Sequence, residues 1–513
     1  MDSKNQIIKT GSNRKAKVII TSFLVLMVLA AGYFIFTGQK AKSKEENEPA
    51  GIDQSIAVLP FVNISNDPGQ EYFSDGLTEG ILNSLAHLKG LKVTSRTSSF
   101  EFRGKDVDIK EIGKKLGVRA VLEGSFQRQG DRVRITAQLI NVEDDFHFWS
   151  EQYDENIDDI FALQDKIAGA IAEKLEITLL KNERRIIAKR PTTSKEAYEC
   201  YLKGRSCWNL RTPPELKKGI DFFQQAITLD PLYAAAYAGL ADCYTALGYG
   251  SHLAPMEAFP KALEAATKAL ELDSTLAEPH ASLGYYRFYH DWDWAAAEQE
   301  FRMAIALNPN YEMAYDWYGY YLTAMERYDE AEVILKKAAA LDPLSSQIST
   351  DIGFGLYYSG NYDQAMKALQ ASLDLNPKFA LGHIWLGRVY QIKKMYPEAI
   401  VEFKKALEVT PEWPVALAQI GNVYGVSGHK EEAQKILETF SSLSEKKFVT
   451  SYGVALVHAG LGNKDQTFQW LNKAYEERSH WLVWLKTDPR WASIRSEKQY
   501  AELLARVGLP HGN

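Results

Sequence analysis

Residues 386–411 read LGRVYQIKKMYPEAIVEFKKALEVTP, and three of their positions recur along the chain at an interval of 34. Pro411 is matched by Pro377, Pro343 and Pro309, Gly387 by Gly319, Gly353 and Gly421, and Ala399 by Ala331, Ala365 and Ala433. A period of this length marks a supersecondary unit that buries its apolar face only by stacking on copies of itself. Each column has a physical reason. The proline follows Asn or Asp in Asn308-Pro309, Asp342-Pro343 and Asn376-Pro377, and it stops a helix because it lacks an N–H and clashes with the preceding turn. Glycine and alanine fall where the two antiparallel helices of one unit cross, where a larger side chain would push them apart.

With Leu386-Gly387, Tyr390, Ala399, Phe403, Ala406 and Pro411 in their columns, the stretch resembles a tetratricopeptide repeat. The pattern continues upstream through Gly284, Ala297, Phe301 and Ala304, through Leu240-Ala241 and Tyr244, and through Phe223, Ala226 and Pro231. The Tyr244 unit carries extra residues around Gly248–Pro260. Downstream, Gly462 and Ala474 keep the spacing while Thr467 and Glu445 replace the alanine and the proline. About seven or eight units are expected over residues 195–480, followed by a capping amphipathic helix within 481–513 that carries Leu503, Leu504 and Val507.

The resemblance implies that the first helix of each unit lines a concave face. The columns expected to point inward hold Tyr285, Phe288, Trp317, Tyr320, Phe354, Tyr357, Trp385, Arg388, Gln391 and Asn422. Aromatics beside an arginine and amides suit the centre of a groove that grips a peptide or protein partner. Packing is the competing explanation of the same stripe. The Lys/Asn pattern with which some relatives clamp a terminal carboxylate is missing, so a ligand of that type is not expected.

Residues 55–180 read differently. Ser55–Phe61 is a buried strand, Ser74 and Asp75 can cap a helix with Leu77, Ile81, Leu82, Leu85 and Leu88 along one stripe, and Leu91–Arg96 is a second strand. Gly130-Asp131 joins Ala120–Gln129 to Arg132–Asn141 as a two-residue hairpin turn. SIAVLPFVNISNDPGQEYFSDGLTEGIL (55–82), VTSRTSSF (93–100), LGVRAVLEGSFQRQGDRVRITAQLI (116–140) and WSEQYDENIDDIFALQDKIAGAIA (149–172) together resemble the TolB-like/FlgO module. That resemblance implies a small mixed-sheet α/β fold without established catalytic residues. Asp67, Asp75 and Glu79 lie near the first strand-to-helix connection, and Arg96, Thr97 and Ser98 could hold an anion; capping and loop solvation are the plainer roles.

Val18–Phe36 carries no charge and is long enough to span a bilayer, which predicts a transmembrane anchor over residues 18–38 in contact with lipid. Lys4, Lys9, Arg14, Lys15 and Lys17 before the run outnumber Lys40, Lys42 and Lys44 after it, which places a tail of residues 1–17 in the cytoplasm. The remainder would lie in the periplasm, single-pass on the inner membrane. Residues 39–54 and 181–194 read as linkers.

The fold class expected is therefore α-rich and multidomain: a single transmembrane helix, a small α/β module and an all-α repeat solenoid. A net charge of −7 over 513 residues disfavours a nucleic-acid partner, and three cysteines allow neither a disulfide scaffold nor a four-thiolate zinc site. Walker, HExxH and G-x-S-x-G patterns are missing, so no enzyme, metal or cofactor is expected. The function expected is a membrane-tethered scaffold for protein–protein interaction. The alternative is a sensory component whose α/β module binds a small ligand and signals through the repeats.

Overall fold

The computed structural model describes residues 54–65, 67–156, 160–177 and 190–509. The α/β module opens with β1 (Ser55–Val58), β2 (Val62–Asn63), α1 (Glu71–Ala86), β3 (Lys92–Val93), α2 (Arg96–Phe100) and α3 (Ile109–Leu116). It continues with β4 (Ala120–Gln129), β5 (Arg132–Asn141), β6 (Phe146–Asn156) and α4 (Ile160–Lys174). The sheet runs β3-β1-β4-β5-β6, with β2 also paired to β4. β1 is parallel to both its neighbours, whereas β4, β5 and β6 form an antiparallel meander. Gly130 takes a φ of 64° at the hairpin, a conformation open to a residue without Cβ. Val133, Ile135, Ala137 and Leu139 are buried on one face of β5, as alternation requires.

One helix start differs from expectation. α1 begins at Glu71, so Ser74 and Asp75 lie inside it and cap nothing. The Ser74 hydroxyl instead donates to the Phe61 carbonyl at 2.6 Å, and Asp75 pairs with Arg103 and, at 3.5 Å, with Arg96. Both contacts tie the helix to the loops at its N-terminal end.

From Lys195 to Glu476 the described chain is a series of antiparallel helix pairs. First helices are Lys195–Leu210, Ala234–Tyr249, Glu278–Tyr286, Glu312–Ala324, Ser346–Tyr358, Ala380–Ile392, Pro414–Val426 and Ser451–Gly460. The glycine column sits at the crossings. A Cβ on Gly387 would stand 2.4 Å from Phe403 Cε1, and one on Gly319 would stand 2.5 Å from Leu335 Cδ2. Glycine is kept there by the neighbouring helix rather than by backbone conformation.

The prolyl turns do more than end helices. Asn310, just after Pro309, accepts from the Val93 N–H at 3.0 Å and donates to the Ala86 and Leu91 carbonyls, both at 2.9 Å. The Ser95 N–H donates to the Leu341 carbonyl at 2.8 Å. The exposed edge of the module's sheet is thus closed by turns of the repeats, and module and solenoid share one body.

The expected single-pass membrane architecture is corrected. Among the described residues no helix is long and apolar enough to cross a membrane. The stretch that carried the anchor, residues 18–38, lies outside the described residues, as do the tail 1–17 and most of both linkers. The inner-membrane location and the lipid contact derived from that stretch fall with it.

Candidate functional site

Nine of the ten inward-column residues lie on first helices, and Phe288 lies in the π-helical turn Arg287–Asp291 that follows one. None is open to solvent. Arg388 and Trp385 are each 1% exposed, and Trp317, the most accessible of the ten, is 8% exposed. The groove expected between repeats is filled.

Two segments of the same chain fill it. One is the C-terminal stretch after the last repeat, a 3-10 turn over His480–Trp484 and a second over Pro489–Trp491. Trp484 stacks on Tyr358 with ring centres 4.6 Å apart and meets Phe354 edge-on at 4.7 Å. It also reaches Phe288, at 6.1 Å. The other is the end of the Ala234–Tyr249 helix with the extra residues that follow it. Tyr249 packs against Tyr285, Tyr320 and Trp481, and the Gly250 carbonyl accepts from Trp413 Nε1 at 3.0 Å. Aromatic pairs at these separations and tilts are favourable beyond the area they bury.

Some polar groups on this face are matched internally, whereas Arg388 Nη1, Gln391 Oε1 and the Tyr357 hydroxyl are buried without a hydrogen-bond partner. The Arg388 guanidinium lies 4.1 Å from the Trp385 ring centre and 5.1 Å from that of Trp481, a cation–π sandwich. Its Nε donates to Gln419 Oε1 at 3.2 Å, and Arg490 donates to the same oxygen. Gln391 donates to Asn422 at 2.5 Å, and Asn422 donates to the Leu456 carbonyl at 2.7 Å. Asp488 accepts from Arg490 Nε at 2.9 Å, with neither side chain more than 1% exposed. Burial pushes the Asp488 carboxyl up, but Arg490 outweighs it and holds the group below the usual range. Burial also pushes His480 down to about 3, so its ring is neutral.

A buried acidic pair lies on the same face. Asp316 and Asp351 are 0% and 1% exposed. Burial raises both carboxyls, and the neighbouring Asp351 raises Asp316 further. Gln347 donates to Asp351 at 2.6 Å. Among the module candidates, Ser98 donates from both N–H and hydroxyl to Asp342, and Arg96 pairs with Glu79 at 3.2 Å. These residues are committed to internal contacts. Asp67 stays at the surface, accepting from the Gly69 N–H at 2.9 Å.

Trp481, Trp484, Asp488, Arg490 and Tyr249 were not among the expected site residues. Their signal in the sequence is the aromatic density of WLVWLKTDPRW, residues 481–491, in a stretch without the repeat period. The expected capping helix exists separately as Lys498–Val507, and the Gly508 carbonyl beyond it accepts from Trp294 Nε1 at 2.7 Å.

Residues 314–343 and 351–414 match tetratricopeptide repeats, so that part of the resemblance is shown. Residues 52–170 match the HilA/YgeH-like transcriptional regulator second domain, a different description from the TolB-like/FlgO module. The chain is 40% identical over 190 residues to "Putative adenylate cyclase 3" of Rhizobium meliloti (strain 1021), covering 36% of this chain and 32% of that protein. It is 24% identical over 299 residues to the transcriptional regulator HilA of Salmonella typhimurium, covering 58% of this chain and 52% of that protein. The chain therefore spans about a third to a half of the length of these curated relatives. Among solved structures it is similar to the APC/C hetero-tetramer Cut9–Hcn1 (17% identity, TM-score 0.44, 68% of this chain and 63% of that one). It is also similar to YrrB, a TPR protein with an unusual peptide-binding site (22% identity, TM-score 0.26, 38% and 95%).

Proposed function

We propose that the chain is a protein–protein interaction scaffold whose inner face takes a short aromatic peptide segment. Residues 480–491 are the segment it holds in cis. The observation that carries this reading is the seat of Trp484, in a peptide-like 3-10 turn, against Tyr358 and against Phe354 and Phe288, two of the residues from which partner binding was expected. Tetratricopeptide repeats, matched over residues 314–343 and 351–414, support the scaffold. A partner would meet Tyr285, Phe288, Trp317, Tyr320, Phe354, Tyr357, Trp385, Arg388, Gln391 and Asn422 only in place of that segment. The reading assigns no reaction to the chain.

The test is exchange in trans. A fluorescent peptide of residues 478–492 should not bind the wild-type chain, because its seat is taken. The W481A/W484A variant, with the cis segment loosened, should bind it measurably by anisotropy. A variant that keeps its helical circular dichroism yet binds no more peptide than wild type would sink the groove reading.

A further inference from the structure

A cavity of about 250 Å³ lies between α1 of the module and the first helices of the early repeats, separate from the seat of the C-terminal segment. It is smaller than the roughly 300–1,000 Å³ of pockets that hold drug-sized ligands, so an occupant has to be small. Carboxylates outnumber guanidinium groups on its wall six to three, and no lysine lines it.

The guanidinium groups already have contacts. Arg205 donates to Glu79 at 3.0 Å and to Asp242 at 3.3 Å, and Arg96 completes the pairing of Glu79 at 3.2 Å. Arg211 lies 4.3 Å over the Trp208 ring and donates to Met313 Sδ at 3.4 Å. Glu278 and Glu312, also on the wall, make no side-chain ion pair among the described residues. Tyr233 also lines the cavity, is 0% exposed, and has a hydroxyl without a hydrogen-bond partner. A buried hydroxyl left unpaired is destabilising, and an ammonium N–H is a donor from which it can accept. Tyr201 stands beside it with ring centres 5.1 Å apart, giving an aromatic wall of the kind that attracts cations.

We infer that this cavity binds a small organic cation, an amine with an apolar body. Its ammonium is paired by Glu278 and Glu312 and hydrogen-bonded by Tyr233, and its apolar part lies on the tyrosine rings. Burial raises the Glu312 carboxyl to about 7, and a bound cation would favour its ionised form.

A matched series tests the charge: 2-phenylethylamine, neutral 2-phenylethanol and anionic phenylacetate, titrated calorimetrically into the full chain. The amine should bind at least about tenfold more tightly than the alcohol, the size expected for charge-assisted hydrogen bonds. E278Q and E312Q should each weaken it about five- to tenfold, and Tyr233→Phe by a smaller factor, with thermal unfolding showing that the variants remain folded. Phenylacetate binding as tightly as the amine overturns the inference. So does the absence of amine binding to the wild-type chain, or an amine affinity unchanged in both glutamate variants.

Discussion

The Asp342 carboxyl accepts two hydrogen bonds from Ser98, one from the backbone N–H at 3.0 Å and one from the hydroxyl at 2.5 Å, across 244 positions of sequence. The Ser98 hydroxyl accepts in turn from the Leu344 N–H at 2.8 Å. A residue whose sequence role is to precede a helix-ending proline therefore also anchors the α/β module.

Asp342→Ala should weaken that anchor. It leaves the buried Ser98 N–H with only the longer bond to Ser95 Oγ, at 3.5 Å, and removes the acceptor of the Ser98 hydroxyl, a loss of about 1–3 kcal/mol. Urea unfolding followed by tryptophan fluorescence, with its signal mostly in the repeats, and by a probe on the module should change from coincident to separate transitions. Coincident midpoints in the variant would show that the module is held mainly by other contacts.

Trp484→Ala should be among the most damaging single substitutions in the repeat region. The side chain is 1% exposed and packs against Tyr358, Phe354 and Phe288. Truncating a buried aromatic of this size costs about 3–5 kcal/mol. The check is chemical denaturation, and a loss below about 1 kcal/mol would mean that the face readily closes over the gap.

Asp488→Ala should cost about 3–5 kcal/mol, because it strands the buried Arg490 without its carboxylate. Adding Arg490→Met in the same chain should recover part of the loss, since the stranded charge is the main penalty. A double variant no more stable than Asp488→Ala would place the defect in packing instead.

The Asp316–Asp351 pair makes stability depend on pH. Burial raises both carboxyls in the folded chain. Between the unfolded value near ~3.9 and the raised folded values, the folded chain holds more protons, so this pair's contribution falls as pH rises through that window. His480 acts with the opposite sign: neutral down to about 3, it leaves the unfolded chain holding more protons below about 6.5, so its contribution falls as pH drops. Asp316→Asn isolates the first effect. Its melting temperature relative to wild type should be higher at pH 8 than at pH 5. A difference that does not change with pH would mean that the pair is ionised in the folded chain over this range, as it is in the unfolded one.

Periodic features were legible in the sequence. Gly319 and Gly387 announce helix crossings because the constraint is local to one unit and recurs at a fixed interval. The same geometry brings Tyr285, Trp317 and Trp385 onto one face. The hairpin at Gly130-Asp131 was legible from its turn chemistry and the alternation of its second arm. The filling of the inner face was not. Contacts such as Trp484 with Phe288 join residues far apart in the chain, and WLVWLKTDPRW carries no period that points to its destination. Asn310 was hidden for a similar reason: as a residue after a helix-ending proline it looked like loop, and its three hydrogen bonds to the module depend on a tertiary approach.

Residues 480–491 leave the ribosome after every repeat whose aromatic face they cover. At translation rates of ~5–20 residues per second, Phe288, Phe354 and Tyr358, the rings on which Trp484 packs, emerge seconds earlier. During that interval these rings lack the cover that Trp484 gives them in the finished fold. The order of synthesis thus makes the covering of these rings one of the last steps in building this part of the chain.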